Sequence, residues 1–164
     1  MIRNFKSIRW KPLILSLAVP LAVGGAAALL TRGGFRDFGA LRQPPLSPPA
    51  WVFPAAWTAL YIIMGIASYL VALSGKYPSR VERALTLYAV QLAMNFCWPL
   101  IFFGLQLYLA AFVWLVLLTL LVCLTALRFR YISKLAGLLM LPYVAWLAFA
   151  GYLNMGVYLL NRAA

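Results

Sequence analysis

Five apolar runs, separated by short polar or basic stretches, organise the chain. They cover residues 12–31, 51–74, 84–104, 107–127 and 135–160. Each holds about 20 residues or more, which at about 1.5 Å per residue crosses a hydrocarbon core about 30 Å thick. Backbone groups in lipid must be satisfied within the polypeptide, so each run predicts a helix. A membrane barrel would need many segments of about ten alternating residues, and these runs do not alternate. The expected fold class is all-α: one polytopic membrane domain over residues 1–164, a bundle of five transmembrane helices.

Three connections are short and one is long. Residues 32–50 end in Pro44-Pro45-Leu46-Ser47-Pro48-Pro49. Proline lacks an N–H and holds its predecessor extended, so this stretch predicts a stiff strap. A linker is one reading, but there is no second domain to link, and a lid over the bundle is preferred. The start of the chain, with Arg3, Lys6, Arg9 and Lys11 before an apolar run containing Ala26-Ala27-Ala28, imitates a signal peptide. The run is long for that, and its loss would strip the other four helices of a partner, so a retained span is expected. Five helices do not divide into matched halves, which weighs against an inverted-repeat carrier.

Composition removes the soluble alternative. The chain is 66% hydrophobic and only 10% charged, with a mean hydropathy of +0.94. No 164-residue domain could hide that much apolar surface from water. Fourteen Lys and Arg against two acids, Asp37 and Glu82, give a net charge of +12. The basic residues lie in groups between apolar runs, which marks topology and headgroup contact rather than a nucleic-acid partner. Ten fall on one side: the N-terminal four, Lys76, Arg80, Arg83, Arg128, Arg130 and Lys134. Four fall on the other: Arg32, Arg36, Arg42 and Arg162. In a bacterial cell membrane the positive-inside rule then puts the N-terminus in the cytoplasm.

The chain has no histidine, hence no imidazole metal ligand, Ser-His triad or His general base. Cys97 and Cys123 sit inside apolar runs without CxxC spacing and read as packing. No metal and no required cofactor are expected.

Candidate chemistry lies on polar and aromatic residues within the spans. Gln91 and Asn95 share a face of the third helix, continued by Trp98 and Pro99. Intramembrane amides serve either as interhelical glue or as ligand contacts, and one helix alone leaves both open. Ala89, Ala93 and Cys97 lie roughly opposite, a small-residue seam for a second copy or for packing within one subunit. The second helix carries Phe53, Trp57, Tyr61 and Gly65 at steps of four. The fifth carries Tyr143, Trp146, Ala150 and Asn154. Measured from the outer end at about 1.5 Å per residue, Trp57 and Trp98 lie roughly 9 Å deep, Asn95 roughly 14 Å, Ala150 roughly 15 Å and Trp146 roughly 21 Å. The overlap predicts an aromatic-lined cavity beneath the strap, suited to a flat, largely apolar ligand. Arg32, Arg36 and Arg42 near the mouth could pair with carboxylates on it. The fourth helix, nearly all apolar apart from Trp114 and Thr119, is expected to be scaffold facing lipid.

These residues carry a resemblance. Pro48-Pro49-Ala50-Trp51-Val52-Phe53-Pro54-Ala55-Ala56-Trp57-Thr58-Ala59-Leu60-Tyr61 resembles the second-helix signature of the translocator protein family, also called tryptophan-rich sensory proteins (TspO/MBR). Gln91-Leu92-Ala93-Met94-Asn95-Phe96-Cys97-Trp98 resembles its third-helix motif. Leu141-Pro142-Tyr143-Val144-Ala145-Trp146, with Ala150 and Asn154, resembles its fifth. The motifs occur in order over nearly the whole chain. The resemblance implies a five-helix membrane protein, commonly a homodimer, whose members bind porphyrins, sterols and synthetic ligands of the benzodiazepine-receptor type. By position it implies that Trp57, Asn95, Trp98, Trp146 and Ala150 line the pocket, that Tyr143 and Phe149 neighbour it, and that Pro48 and Pro49 belong to the covering loop; Phe53 of the second-helix stripe is counted with the ligand-binding residues. It also maps a degenerate sterol-recognition pattern onto Leu153, Tyr158 and Arg162. Many members carry Trp-Tyr where this chain has Asp37-Phe38, and Trp where it has Leu46 and Tyr158. The first two differences bear on lid contacts and leave the Trp57/Asn95/Trp146 core intact.

The expected function is a membrane receptor or transporter that binds porphyrin, with sterols as a further class, in this pocket. A light- and oxygen-dependent porphyrin-degrading enzyme is the alternative, with Trp57 and Trp146 as its redox-active residues. A regulatory membrane interaction protein ranks third.

Overall fold

The computed structural model describes residues 8–75 and 77–162, apart from the side chains of Phe35, Arg36 and Asp37. Arg3, Lys6 and Lys76, counted above for orientation, lie outside the described residues, as do the side chains of Arg36 and Asp37. The described elements are helices α1 (Trp10–Phe38), α2 (Val52–Ala72), α3 (Pro78–Pro99), α4 (Tyr108–Ile132), α5 (Lys134–Leu139) and α6 (Leu141–Asn161), with a π-helical turn at Leu100–Gly104 extending α3. Five stretches among them are long and apolar enough to cross a membrane: Trp10–Gly34, Val52–Ala72, Pro78–Gly104, Tyr108–Ile132 and Lys134–Asn161. The protein is an all-α, five-span integral membrane protein, as the hydropathy pattern predicts.

Successive spans run antiparallel, so one end of the bundle carries the connection between α1 and α2 and the other carries the start of α1. α1 packs against α2, α3 and the π-turn, while α4 packs against α3, α5 and α6. Ring contacts between α2 and α6, Phe53 to Trp146 at 6.3 Å and Trp57 to Tyr143 at 6.1 Å, close the circuit. Two glycines set the α1–α2 approach. A Cβ on Gly65 would lie 2.7 Å from the Ser16 carbonyl oxygen, and one on Gly24 would overlap the Tyr61 ring. Small residues permit the backbone proximity that helix association in lipid depends on.

The structure moves three expected boundaries. α1 continues past residue 31 to Phe38, so the strap proper is residues 39–51. Gly33 and Gly34 do not end the helix, because Gly34 lies directly against the Phe103 backbone, where a side chain would not fit. α3 begins at Pro78, where a missing N–H costs nothing in the first turn. The fifth run is two helices meeting at Met140, since Pro142 in the first turn of α6 has no N–H to carry the α5 ladder onward.

The fourth helix is also corrected. α4 buries Ala111, Leu115, Leu118, Val122, Thr125, Ala126, Phe129 and Ile132 in a helical stripe. It is a central packing element whose opposite face, including Val113, Leu117, Leu120, Leu124 and Leu127, is exposed. An apolar sequence on both faces hides this division, because lipid accepts the same residues as the core.

Candidate functional site

A buried hydrogen-bonded relay ties three helices together. The Tyr61 hydroxyl on α2 donates to Asn95 Oδ1 on α3 at 2.7 Å. Asn95 Nδ2 donates to the Tyr143 hydroxyl on α6 at 2.6 Å. All three residues are buried. Nearer the strap end, Trp98 Nε1 donates to Asn154 Oδ1 at 3.4 Å, and Asn154 Nδ2 donates to the Tyr108 carbonyl at 2.7 Å. On the other side of Asn95, Gln91 is fully buried; its Nε2 lies 3.9 Å from the Met64 sulfur, while its Oε1 has no partner among the described residues. Both ends of the Asn95 amide are thus engaged by tyrosines of neighbouring helices.

Trp57 is the aromatic hub. Its ring stacks on Tyr61 at 5.7 Å and meets Trp98 at 6.4 Å, Tyr143 at 6.1 Å and Trp146 at 6.5 Å. Beside it lies a cavity of about 370 Å³ between α1, α2 and α3. Phe53, Pro54, Trp57 and Tyr61 form one wall, Trp98, Pro99 and Phe103 a second, and Gly24, Ala27, Ala28 and Thr31 of α1 the third, with Arg32 at its margin. The volume falls in the lower part of the range typical of small-molecule sites, about 300–1,000 Å³.

The π-turn shapes the outer part of the cavity. Pro99 has no N–H to continue the α-helical ladder, and the chain widens so that Leu105 N–H reaches the Leu100 carbonyl at 2.9 Å. Phe102 and Phe103 both meet Phe38 at the end of α1, at 5.7 and 5.5 Å, and Phe38 also meets Phe53 at 6.0 Å. Four phenylalanines from α1, α2 and the π-turn thus cap the aromatic hub.

The strap crosses from there to α6. Asn161 receives the Arg42 N–H at 3.1 Å and donates to the Arg42 carbonyl at 3.0 Å. The Tyr152 hydroxyl donates to the Pro45 carbonyl at 2.7 Å. Pro44 is buried against Gly156, where a Cβ would come within 2.6 Å of its ring.

The structure brings together most of the residues singled out in the sequence, in a different arrangement. Phe53, Trp57 and Trp98 line the cavity. Asn95 and Tyr143 do not; they form the relay beneath Trp57. Trp146 stands behind Phe53 and Trp57 and also lines a lipid-side groove with Phe149, Ala56 and Ala59. Its Nε1 is buried without a partner among the described residues. Ala150 is buried, Pro48 half-buried and Pro49 exposed. Leu153 faces the interior, whereas Tyr158 and Arg162 line a separate groove with the start of α4, so the three do not share one surface. Of the arginines expected at the mouth, Arg32 lines the cavity and Arg42 holds the strap. Sequence reasoning missed the α1 wall, whose small residues Gly24, Ala27, Ala28 and Thr31 recur at helical spacing, and the phenylalanine cap. The small-residue spacing on α1 carries that signal, although Ala26-Ala27-Ala28 also imitates a cleavage site.

The sequence model of the TspO/MBR family matches residues 16–160. The chain belongs to the TspO/MBR family. Among its TspO/MBR relatives, the tryptophan-rich protein TspO of Chlorobaculum tepidum is 40% identical over 150 residues, covering 91% of this chain and 95% of the relative. The translocator protein of Bos taurus is 40% identical over 147 residues, 88% of this chain and 87% of its own. Protein CrtK of Rhodobacter capsulatus is 38% identical over 138 residues, 84% and 85%. The resemblance drawn from the second-, third- and fifth-helix motifs is therefore a family relationship along the length of the bundle.

Proposed function

We infer that this TspO/MBR member is a membrane receptor or transporter that captures a flat, largely apolar ligand of the porphyrin class, with sterols as a further class. The observation that carries this reading is the cavity walled by Phe53, Trp57 and Trp98, with the Arg32 guanidinium at its margin. Aromatic faces supply stacking area, and an arginine at the edge supplies a partner for a propionate carboxylate. Relatives that carry the names translocator protein and TspO fit a receptor or transport role. A macrocycle larger than the present cavity would need the Phe38 cap to swing aside, and the strap is the covering segment that would move with it.

Titration of the purified protein with protoporphyrin IX, read by tryptophan fluorescence, tests this. Trp57→Ala should weaken binding about ten-fold, the scale of losing one well-packed aromatic contact. Trp10→Ala, which changes an exposed tryptophan far from the cavity, should leave it unchanged. Equal affinity in wild type and Trp57→Ala would remove the site.

We also infer that a second copy docks on the α3 seam. Ala89 and Ala93 are exposed and Cys97 is half-buried, so the seam looks outward from the bundle rather than into it. Small exposed residues let helices of two copies approach closely.

A further inference from the structure

At the end of the bundle opposite the strap, α3 and α4 converge on a basic cleft of about 400 Å³ lined by Arg80, Arg83, Arg128, Tyr131 and Ile132. Arg80 and Arg83 are three apart on α3 and share a face; Arg128, Tyr131 and Ile132 share a face of α4. Buried Ile132 forms the floor, and Tyr131, 82% exposed, forms a wall.

The charges there are uncompensated. Arg83 Nε donates to the Ser79 carbonyl at 3.1 Å, and the Arg80 guanidinium lies 4.8 Å from the Tyr77 ring centroid. No described carboxylate pairs with any of the three arginines. Glu82 is two positions from Arg80, on another side of the helix. The first turn of α3 has no acidic residue and no side-chain cap, so its positive end adds to the field.

The level of the cleft identifies what it faces. The apolar run of α3 starts at residue 84 and that of α4 ends at residue 127. All three arginines therefore leave the backbone within about 6 Å of the hydrocarbon boundary. Below them on the same face of α4, Leu124 and Leu127 are exposed and present an apolar flank.

We propose that this cleft holds the phosphate of an acidic phospholipid in the leaflet at that end, with an acyl chain lying along Leu124 and Leu127. Arginine forks match phosphate oxygens in charge and in geometry, and a cleft between two helices fixes more than one fork on the same group. Tyr131 sits at headgroup depth, where an aromatic ring with a hydroxyl is favoured.

The test uses the full chain in vesicles of phosphatidylcholine containing a minority of phosphatidylglycerol, released into native mass spectrometry to count retained lipids. Wild type should retain phosphatidylglycerol in preference to phosphatidylcholine. The triple variant Arg80→Gln, Arg83→Gln, Arg128→Gln should lose that preference by about ten-fold or more, as removal of charge-assisted hydrogen bonds predicts. The charge-matched control Arg9→Gln, Lys11→Gln, Arg130→Gln should retain it. An equal loss in both variants, or no preference in wild type, overturns the site. Inorganic phosphate added to protein in phosphatidylcholine vesicles separates the sources: phosphorus-31 line broadening that saturates and depends on the three arginines, without retained phosphatidylglycerol, would assign the cleft to a soluble anion and overturn the lipid. Should the triple variant fail to give wild-type helical circular dichroism, Arg128→Gln alone carries the comparison.

Discussion

Asn95 joins side chains of three helices through a single amide. Its two partners are buried hydroxyls that would lose the amide together. Asn95→Ala should therefore destabilise the bundle by about 1–3 kcal/mol per unsatisfied group, an upper range in lipid where alternative partners exist. Thermal unfolding in detergent, read by circular dichroism, should show a lower midpoint, and protoporphyrin IX affinity should fall with it. An unchanged midpoint would mean that the relay does not bear on stability. The sequence predicted that Gln91 and Asn95 face inward, because intramembrane amides avoid lipid. It could not tell glue from ligand contact, since that depends on Tyr61 and Tyr143, which lie 34 and 48 positions away along the chain. Gln91 has the same residue class and burial, but its carbonyl has no partner among the described residues.

The strap acts at the scale of elements, as a tie between α1 and α6. Among the described residues, polar ties join Arg42 to Asn161 and Pro45 to Tyr152, and Pro44 packs on Gly156. The double variant Asn161→Ala, Tyr152→Phe should free it while leaving the spans folded. Hydrogen exchange should rise across residues 39–51 and stay low in α2 and α4; unchanged exchange in the strap would show that proline stiffness and Pro44 hold it unaided. The proline run announced a stiff segment in the sequence, but not its landing place. Pro48 and Pro49 drew attention as a pair, while the proline that packs is Pro44. Leu46, exposed at the tip with φ of 66°, adopts a left-handed conformation that sequence spacing gave no reason to expect of a leucine. The π-turn was similarly hidden: Pro99 marked a helix boundary, and only packing against Phe38 and Gly34 decided that the chain widens there instead of ending.

For the whole molecule, the charge asymmetry and the outward seam make two predictions. With native cysteines replaced by serine, Leu46→Cys expressed in a bacterial plasma membrane should react with an impermeant thiol reagent from outside, and Lys134→Cys only after lysis. The reverse pattern would invert the orientation drawn from the ten-to-four distribution of basic residues. Ala93→Phe should convert a dimer to a monomer in analytical ultracentrifugation, since a ring at an exposed small-residue contact blocks close approach. A dimer that survives would move the interface elsewhere.

Sequence alone determined the span number, the membrane class and the family motifs. Length of apolar run, lack of strand alternation and grouped basic residues follow from transfer of side chains and backbone into lipid, which is a local property of each segment. It also placed Trp57 and Trp98 near one depth, because helical rise is fixed. Tertiary structure decided which helices enclose the cavity. Glycines at positions 24 and 65 let α1 close on α2, so the space lies among α1, α2 and α3, with the α6 residues Tyr143 and Trp146 against its Trp57 wall. In a membrane protein both the lipid face and the core face are apolar, so hydrophobicity leaves helix rotation undetermined; side-chain fit, small-residue contacts and a few buried hydrogen bonds set it.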